Sequence, residues 1–190
     1  MPHRIRVRGS TLTLIQGNIV EMHADAIVNA ANEALVGGGG VDGAIHEAGG
    51  PRILEECRTL GACRPGSAVV TTAGNLAAQY ILHAVGPAYG YHELPADLLR
   101  SAYQTCLDLA EQYQLASIAF PSLSTGAFGY PLNEAATIAL RTILAHLTHP
   151  TSLKQVTMVL FDRTAYQVHV RELERLLSRP EAEPPNSPAG

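Results

Sequence analysis

Short apolar segments alternate with amphipathic segments of helical length along most of this sequence. The apolar segments are rich in Val, Ile, Leu and Ala, a composition typical of strands that are covered on both faces. These segments are 26–28, 68–70, 80–85, 118–120 and 156–161. Between them, apolar residues recur at intervals of three or four, which predicts helices over 98–110, 136–147 and 166–177. The alternation predicts an α/β fold with a mixed, mostly parallel central sheet and helices on both faces.

The two ends of the chain have patterns of their own. Leu12 and Leu14 alternate with polar residues in a segment that predicts a strand with one solvated face, and Ile5 and Val7 predict an edge strand before it. The last twelve residues, 179–190, hold four prolines and no apolar side chain larger than that of Ala. Such a segment cannot bury enough surface to offset the entropy lost on ordering. We therefore expect one domain over 1–178 and a disordered tail over 179–190.

The composition argues against several classes of protein. A net charge of −4, 5 % aromatic residues and no Trp disfavour a basic nucleic-acid surface or a row of base-stacking side chains. No apolar run approaches the ~18 residues that span a bilayer, and the N-terminus lacks the apolar core of a signal peptide. Cys57, Cys63 and Cys106 form no C-x-x-C pair, so we expect buried free thiols. We expect a cytoplasmic monomer without a metal, a cofactor or a membrane partner.

Glycines are concentrated after the first buried strand, where Asn29–Asn32 is followed by Gly37–His46 with four consecutive glycines. The string Gly38-x-Gly40-x-x-Gly43 satisfies the dinucleotide fingerprint, but nine residues precede it and no acidic residue ends the next strand. A nicotinamide dehydrogenase is therefore disfavoured. Free backbone N–H groups at the start of a helix bind anions, so we expect this loop to hold a diphosphate. The alternative is a loop without a ligand.

A second glycine-containing loop, 121–131, follows the strand at 118–120. Its Ser, Thr and Gly residues offer hydroxyl and backbone donors of the kind that bind phosphate. Ser124 does not fit the nucleophile elbow G-x-S-x-G, because this chain has Ser122 where the elbow needs Gly. Two such loops after different strands predict one ligand with two phosphates, held by backbone donors rather than by lysines.

Four ordered motifs resemble the macrodomain family and specifically its MacroD-type branch. They are 29–32, 37–46, 83–87 and 124–131, and the resemblance extends over about residues 10–178. It implies a three-layer α/β/α fold that binds ADP-ribose. It also implies hydrolysis of mono-ADP-ribose from acidic side chains of proteins and deacetylation of O-acetyl-ADP-ribose. ADP-ribose and ADP-ribosylated proteins would then be the partners, and nucleic acid would bind only through ADP-ribosylated ends.

The resemblance further implies roles for individual residues. Asn32 would bind the distal ribose, Asp42 would be the catalytic acid, and His46, one helical turn later, would support it. Asn18 occupies the position where the family usually has Asp to accept a hydrogen bond from the adenine amino group, and Asn18 and Ile19 would both bind the substrate. Phe161 would stack on adenine. The two phosphate loops would contain Gly39, Gly40 and Val41, and Ser124, Thr125, Gly126, Ala127 and Phe128.

Alternatives stay open for several of these residues. Asp42 could instead cap the helix that follows it, and Asn32 could be a left-handed turn residue. His46 could be hydrogen-bonded on a helix face, and Phe161 could belong to the core. Asn18 brings no charge, so we expect adenine selectivity with weaker binding. The chain could also be a reader that binds ADP-ribose without cleaving it, and whether Asp42 takes a proton from water or only positions ribose and water is open as well.

Overall fold

The computed structural model describes residues 2–178, so the tail predicted over 179–190 lies outside the described residues. This part of the chain forms seven strands and five helices, with one short 3-10 turn at Ile19–Glu21. The strands are β1 (His3–Val7), β2 (Ser10–Gln16), β3 (Ala26–Ala30), β4 (Ser67–Thr72), β5 (Tyr80–Val85), β6 (Ser117–Phe120) and β7 (Gln155–Leu160). The helices are α1 (Gly40–Gly49), α2 (Pro51–Leu60), α3 (Pro95–Gln112), α4 (Leu132–Leu147) and α5 (Arg163–Leu177).

The strands form one sheet in the order β1-β2-β7-β6-β3-β5-β4. The five strands from β2 to β5 in this order are parallel to one another, whereas β1 and β4 pair antiparallel at the two edges. The prediction of a mixed, mostly parallel sheet is confirmed. The expectation that segment 68–70 is covered on both faces is wrong, since Ala68, Val69 and Val70 are only partly buried. They belong to an edge strand, which the helices cover incompletely.

Helices cover both faces of the sheet, as the alternation of segments predicted. On one face, Ile27 and Ile81 of the sheet belong to the same buried cluster as Ile45 of α1 and Ile53 of α2. On the other face, the larger cluster joins the strands to α3, α4 and α5, with Leu107, Leu140 and Leu173 among its members. The layers are therefore helix, sheet and helix, and this packing of apolar faces is the main stabilising contribution to the fold.

The three cysteines are buried and free of disulfide bonds, as expected from the sequence. Within residues 2–178, no helix combines the length and the apolar composition needed to cross a membrane.

The carboxyl ends of the five parallel strands lie along one edge of the sheet, which we refer to as the carboxyl edge. The segments that follow β2, β7, β6, β3 and β5 are therefore neighbours in space, although they are distant in sequence. Ligands of open parallel sheets bind at such edges. The fold thus places Asn18, Phe161, loop 121–131 and the glycine-rich segment along the same edge.

Candidate active site

The glycine-rich segment folds back over the start of α1. Gly37 and Gly40 have left-handed backbone conformations, with φ of 80° and 58°. A Cβ atom at Gly43 would lie 2.6 Å from the carbonyl oxygen of Gly38, so only glycine permits this approach. Because α1 begins at Gly40, with Gly39 at its N-cap, the first backbone N–H groups of the helix have no acceptor within it. These groups are available for the anion binding that the sequence predicted, and that role stays a prediction.

Loop 121–131 also has donors that the protein itself leaves unpaired. Ser124 has a left-handed φ of 65°, and its Oγ lies so close to Gly86 that a Cβ there would be only 2.1 Å away. The hydroxyl oxygens of Ser122 and Ser124 are buried without a hydrogen-bond partner. Behind them, the hydroxyl of Tyr103 accepts a hydrogen bond of 3.0 Å from the N–H of Leu123 and holds the loop. The loop is thus supported from below and keeps two buried hydroxyls for a ligand.

A cavity of about 360 Å³ lies between the two loops. Its walls include nine of the residues singled out in the sequence, namely Asn32, Gly39, Gly40, Val41, Asp42, Ser124, Gly126, Ala127 and Phe128. Thr125 is not among the lining residues, and its hydroxyl donates to the carbonyl of Ser122 within the loop. A larger groove of about 650 Å³ between α3 and α4 contains none of the predicted residues, so size alone does not locate the site.

Asn18, Ile19 and Phe161 lie outside this cavity, at the ends of β2 and β7. The N–H of Gly17 donates to the carbonyl of Leu160 over 2.9 Å, which brings the two strand ends together. Phe161 is 76 % exposed, so the interpretation as a core residue is wrong. From β2 to β3 there are three spacings of ~4.8 Å, or about 14 Å. The candidate site is therefore elongated, which suits a ligand with a base at one end and a ribose at the other.

The side chain of Asn18 already has a partner in the protein. It is the N-cap of the 3-10 turn at Ile19–Glu21, and its Oδ1 accepts from the N–H of Val20 at 3.3 Å. An amide oxygen has a second lone pair, so an adenine amino group can still donate to it. Ile19 itself is buried beneath the turn.

Asp42 lies inside the first turn of α1 and is 5 % exposed. Its Oδ1 accepts a hydrogen bond of 2.6 Å from Nδ2 of Asn29, and Nε2 of His46 lies 3.3 Å from the same oxygen. The alternative role as an N-cap is wrong, since Gly39 holds that position and makes no side-chain cap. The other oxygen, Oδ2, lies next to Gly38, a residue of the cavity wall. The carboxylate is thus fixed through one oxygen and keeps the second for a ligand.

The side chain of Asn32 braces the glycine-rich segment. Its Nδ2 donates to the carbonyl of Gly37 over 2.8 Å, and its Oδ1 accepts from the N–H of Val36 at 3.3 Å. The left-handed residue of this turn is Leu35, with φ of 55°, so the interpretation of Asn32 as a left-handed turn residue is wrong. Asn32 and Asp42 both line the cavity between the loops.

Three polar residues behind Asp42 had no assigned role from the sequence. Asn29 of β3 and His83 of β5 are fully buried register partners, and Nδ2 of Asn29 lies 3.1 Å from Nδ1 of His83. Nε2 of His83 lies 2.9 Å from Oγ1 of Thr71. Burial, with a contribution from nearby His46, lowers the pKa of His83 to about 4. The signal was present in the sequence, because an Asn and a His interrupt strands that are otherwise apolar.

His46, Cys57 and His83 form a compact cluster, with one potential ligand atom of each within 4.8 Å of the others. Hydrogen bonds to Asn29 and Thr71 already use both ring nitrogens of His83. Burial, followed by the negative charges of Asp42 and Glu56, raises the pKa of Cys57 to about 11, so the thiol is protonated at neutral pH. The contacts of the cluster are explained by hydrogen bonding and packing, and we assign no metal to it.

Comparison with known proteins agrees with this arrangement. The sequence pattern of the Macro domain family matches residues 28–139. The chain belongs to the macrodomain family. A Macro domain-containing protein of Caldanaerobacter subterraneus is 51 % identical over 170 residues, which is 87 % of this chain and 97 % of the relative. The O-acetyl-ADP-ribose deacetylase 1 of Pantoea vagans is 47 % identical over 168 residues, or 85 % of this chain and 98 % of the relative.

Solved structures of other macrodomains share the fold. The Oceanobacillus iheyensis macrodomain with ADP superposes with a TM-score of 0.91 at 37 % identity, covering 93 % of this chain and 97 % of that one. The Trypanosoma brucei macrodomain in complex with ADP-ribose has a TM-score of 0.80 at 40 % identity, covering 84 % of this chain and 68 % of that one. The family and the three-layer fold predicted for this macrodomain are confirmed, while the roles of its individual site residues stay predictions.

Proposed function

We propose that this macrodomain binds ADP-ribose and hydrolyses its esters. The substrates would be O-acetyl-ADP-ribose and proteins with mono-ADP-ribose on Asp or Glu side chains. The observation that carries the proposal is the Asp42 carboxylate, which is fixed through Oδ1 at the wall of a cavity between the glycine-rich segment and loop 121–131. Support also comes from relatives named O-acetyl-ADP-ribose deacetylase, which are 46–47 % identical and match over most of their length.

The carboxyl edge offers a place for each part of such a ligand. Phe161 provides an exposed ring for the adenine, and Asn18 provides an amide oxygen for its amino group. The diphosphate would lie between the N-terminus of α1 and loop 121–131. The distal ribose would then reach Asn32 and Asp42, with Phe128 in the same cavity wall. Backbone dipoles and hydroxyls can hold the diphosphate without lysines, which is consistent with a net charge of −4.

Ester hydrolysis requires an activated water and stabilisation of the charge that develops. In the proposed reaction, Oδ2 of Asp42 accepts a proton from a water molecule whose oxygen attacks the ester carbonyl carbon. The bond from that carbon to the ribose oxygen breaks, and the ribose oxygen takes up the proton that Asp42 accepted, which returns Asp42 to its carboxylate form. The products are ADP-ribose and either acetate or the free carboxyl group of the protein. Asn32 would keep the ribose in place during this step.

The partners in this proposal are ADP-ribose and ADP-ribosylated proteins. With 13 Lys and Arg residues against 17 Asp and Glu residues, and so a net charge of −4, the chain offers little for nonspecific binding to a phosphate backbone. ADP-ribosylated ends of nucleic acids would enter through the same cavity. Action as a monomer in the cytoplasm is part of the same proposal.

The decisive experiment offers the protein two substrates, O-acetyl-ADP-ribose and a protein with glutamate-linked mono-ADP-ribose. Release of ADP-ribose would be followed by chromatography, and affinity for ADP-ribose would be measured by calorimetry on the same sample. We expect binding and turnover. Tight binding of ADP-ribose without turnover of either substrate would show that the chain is a reader.

A further inference from the structure

The hydrogen bonds behind Asp42 form a continuous series across three strands. Thr71 lies on β4, His83 on β5 and Asn29 on β3, and the series ends at Asp42 on α1. Each of these four residues is buried. His83 and Asn29 are register partners in parallel strands, so their side chains project from the same face of the sheet.

The chemistry of these four side chains fixes which group donates in each hydrogen bond that links them. Nδ2 of Asn29 carries two hydrogens, and a carboxylate can only accept, so one hydrogen points to Asp42. The same nitrogen lies 3.1 Å from His83, so its second hydrogen points to Nδ1, which must be the unprotonated ring nitrogen. Nε2 of His83 then carries the proton and donates to Oγ1 of Thr71, whose own hydrogen goes to the carbonyl of Thr72 over 2.9 Å.

The orientation of the Asn29 amide has a cost. Its Oδ1 is buried and has no hydrogen-bond partner, and a buried unpaired acceptor destabilises the orientation that creates it. Two acceptors, Oδ1 of Asp42 and Nδ1 of His83, compensate by both accepting from Nδ2. If one of these acceptors were lost, the amide would gain by rotating toward another partner. The carboxylate of Asp42 would then lose the donor that fixes its Oδ1.

We propose that His83 is a positioning residue, which holds the amide of Asn29 and through it the catalytic carboxylate of Asp42. The inference rests on the proposed function, in which Asp42 is the group that activates water. His83 has no place in the cavity wall, and the hydrogen bonds that link it to Asp42 run through Asn29. Its neutral, Nε2-protonated form is the one that the hydrogen bonds require.

The first test needs no mutation and no activity. A long-range ¹H–¹⁵N correlation spectrum of the imidazole groups, recorded on the whole protein at neutral pH, reports the tautomer of each histidine. His83 is expected to be neutral, with the proton on Nε2 and an unprotonated Nδ1. A proton on Nδ1, in either the other tautomer or the imidazolium, would overturn the inference even if the enzyme is active. If the tautomer is as expected but the wild-type protein does not turn over, the proposed function fails, while the role of His83 in holding the Asn29 amide and the Asp42 carboxylate stands.

The second test separates positioning from general stability. His83→Phe keeps a ring but removes the acceptor, and kcat is expected to fall at least tenfold while the Kd of ADP-ribose changes less than threefold. His83→Asn restores an acceptor near the position of Nδ1 and should recover most of kcat. His169→Phe is the matched control, because His169 is equally buried but lies in α5 on the other face of the sheet, and its kcat should equal that of the wild type. Equal losses in His83→Phe and His83→Asn, or a Kd that rises as kcat falls, would contradict the inference.

Discussion

The carboxyl edge and the opposite edge, where the parallel strands begin and which we call the amino edge, use their carboxylates in opposite ways. At the amino edge, where β3 and β6 begin, Oδ2 of Asp25 accepts from the N–H of Ala116 at 2.8 Å and from the N–H and hydroxyl of Ser117. At the carboxyl edge, Asp42 has a donor in Asn29 on one oxygen only, and Oδ2 lies against the cavity wall. At the amino edge, the carboxylate oxygen accepts hydrogen bonds from another segment of the fold. At the carboxyl edge, Oδ2 of Asp42 is left for a ligand.

Unpaired polar atoms show the same difference. Within residues 2–178, five buried side-chain atoms have no hydrogen-bond partner, and four of them belong to Asn29, His46, Ser122 and Ser124 around the candidate site. Such atoms are rare in folded proteins because each destabilises the fold. The hydroxyls of Ser122 and Ser124 lie in the cavity wall, where a ligand can reach them, whereas the unpaired oxygen of Asn29 results from the two hydrogen bonds that its Nδ2 donates. The comparison can be tested by changing one carboxylate at each edge.

Removing the carboxylate of the carboxyl edge should have the largest effect. Asp42→Ala is expected to lower the rate of ester hydrolysis at least tenfold, and ~100-fold if the full effect of a general base is lost. Binding of ADP-ribose should persist, because both phosphate loops remain. Initial rates on O-acetyl-ADP-ribose, together with calorimetric binding, would measure both quantities. Asp97→Ala, which changes a 60 % exposed carboxylate on α3, is the matched control and should leave both unchanged. Unaltered turnover in Asp42→Ala would remove Asp42 from its role.

Removing the carboxylate of the amino edge should affect stability and leave the chemistry alone. Asp25→Ala deprives the backbone N–H groups of Ala116 and Ser117 of their acceptor, and we expect a loss of about 2 kcal/mol in the free energy of unfolding. Urea titration would measure this loss. The folded variant should hydrolyse its substrate at the wild-type rate. A reduced rate at unchanged stability would show that the two edges are not separate in function.

The lowered pKa of Glu111, a second carboxyl at the amino edge, makes the stability of the fold depend on pH. Burial raises the pKa of its carboxyl, but hydrogen bonds from the N–H of Ser152 and from Thr151 and His146 outweigh this and lower it to about 2. Because the folded pKa is below the ordinary value of 4.5, the stabilisation is complete above pH 4.5 and is lost as pH falls toward 2. The side chain is 31 % exposed, so we expect about 1–2 kcal/mol. Urea titrations of the wild type and Glu111→Gln should converge as the pH falls from 5 to about 2.5, and a constant difference would contradict this.

The smallest expected effect concerns the adenine end of the carboxyl edge. Asn18→Asp adds a negative charge that accepts more strongly from an amino group, so the affinity for ADP-ribose should rise about threefold. Asp can also cap the 3-10 turn, so thermal stability should stay the same. Calorimetry with ADP-ribose measures the change. A weaker affinity in the variant would be evidence against the placement of adenine beside Asn18.

The periodicity of apolar residues was sufficient to predict most of the fold. Each helix and strand that it predicted is present in the structure. It could not show that segment 68–70 forms an edge strand, because strand order depends on pairing between distant segments. The loops of the site were also predictable, since their glycines follow strands. The contacts of Asn29 and His83 were not, because a tautomer and a hydrogen-bond direction depend on the register of two strands. Likewise, the exposure of Phe161 depends on what covers the end of β7.

The elongated binding edge ties together segments from nearly the whole domain. Asn18 follows β2 near the start of the chain, and Phe161 follows β7 near the end of the described residues. A ligand that contacts both ends, and the two loops between them, would bind only when all these segments are folded together. Occupancy would therefore add about 2.7 kcal/mol to the free energy of unfolding of the whole domain at a ligand concentration ~100 times the Kd. Its melting temperature would rise as a result. Fragments that lack either end would lose affinity and this thermal protection at the same time.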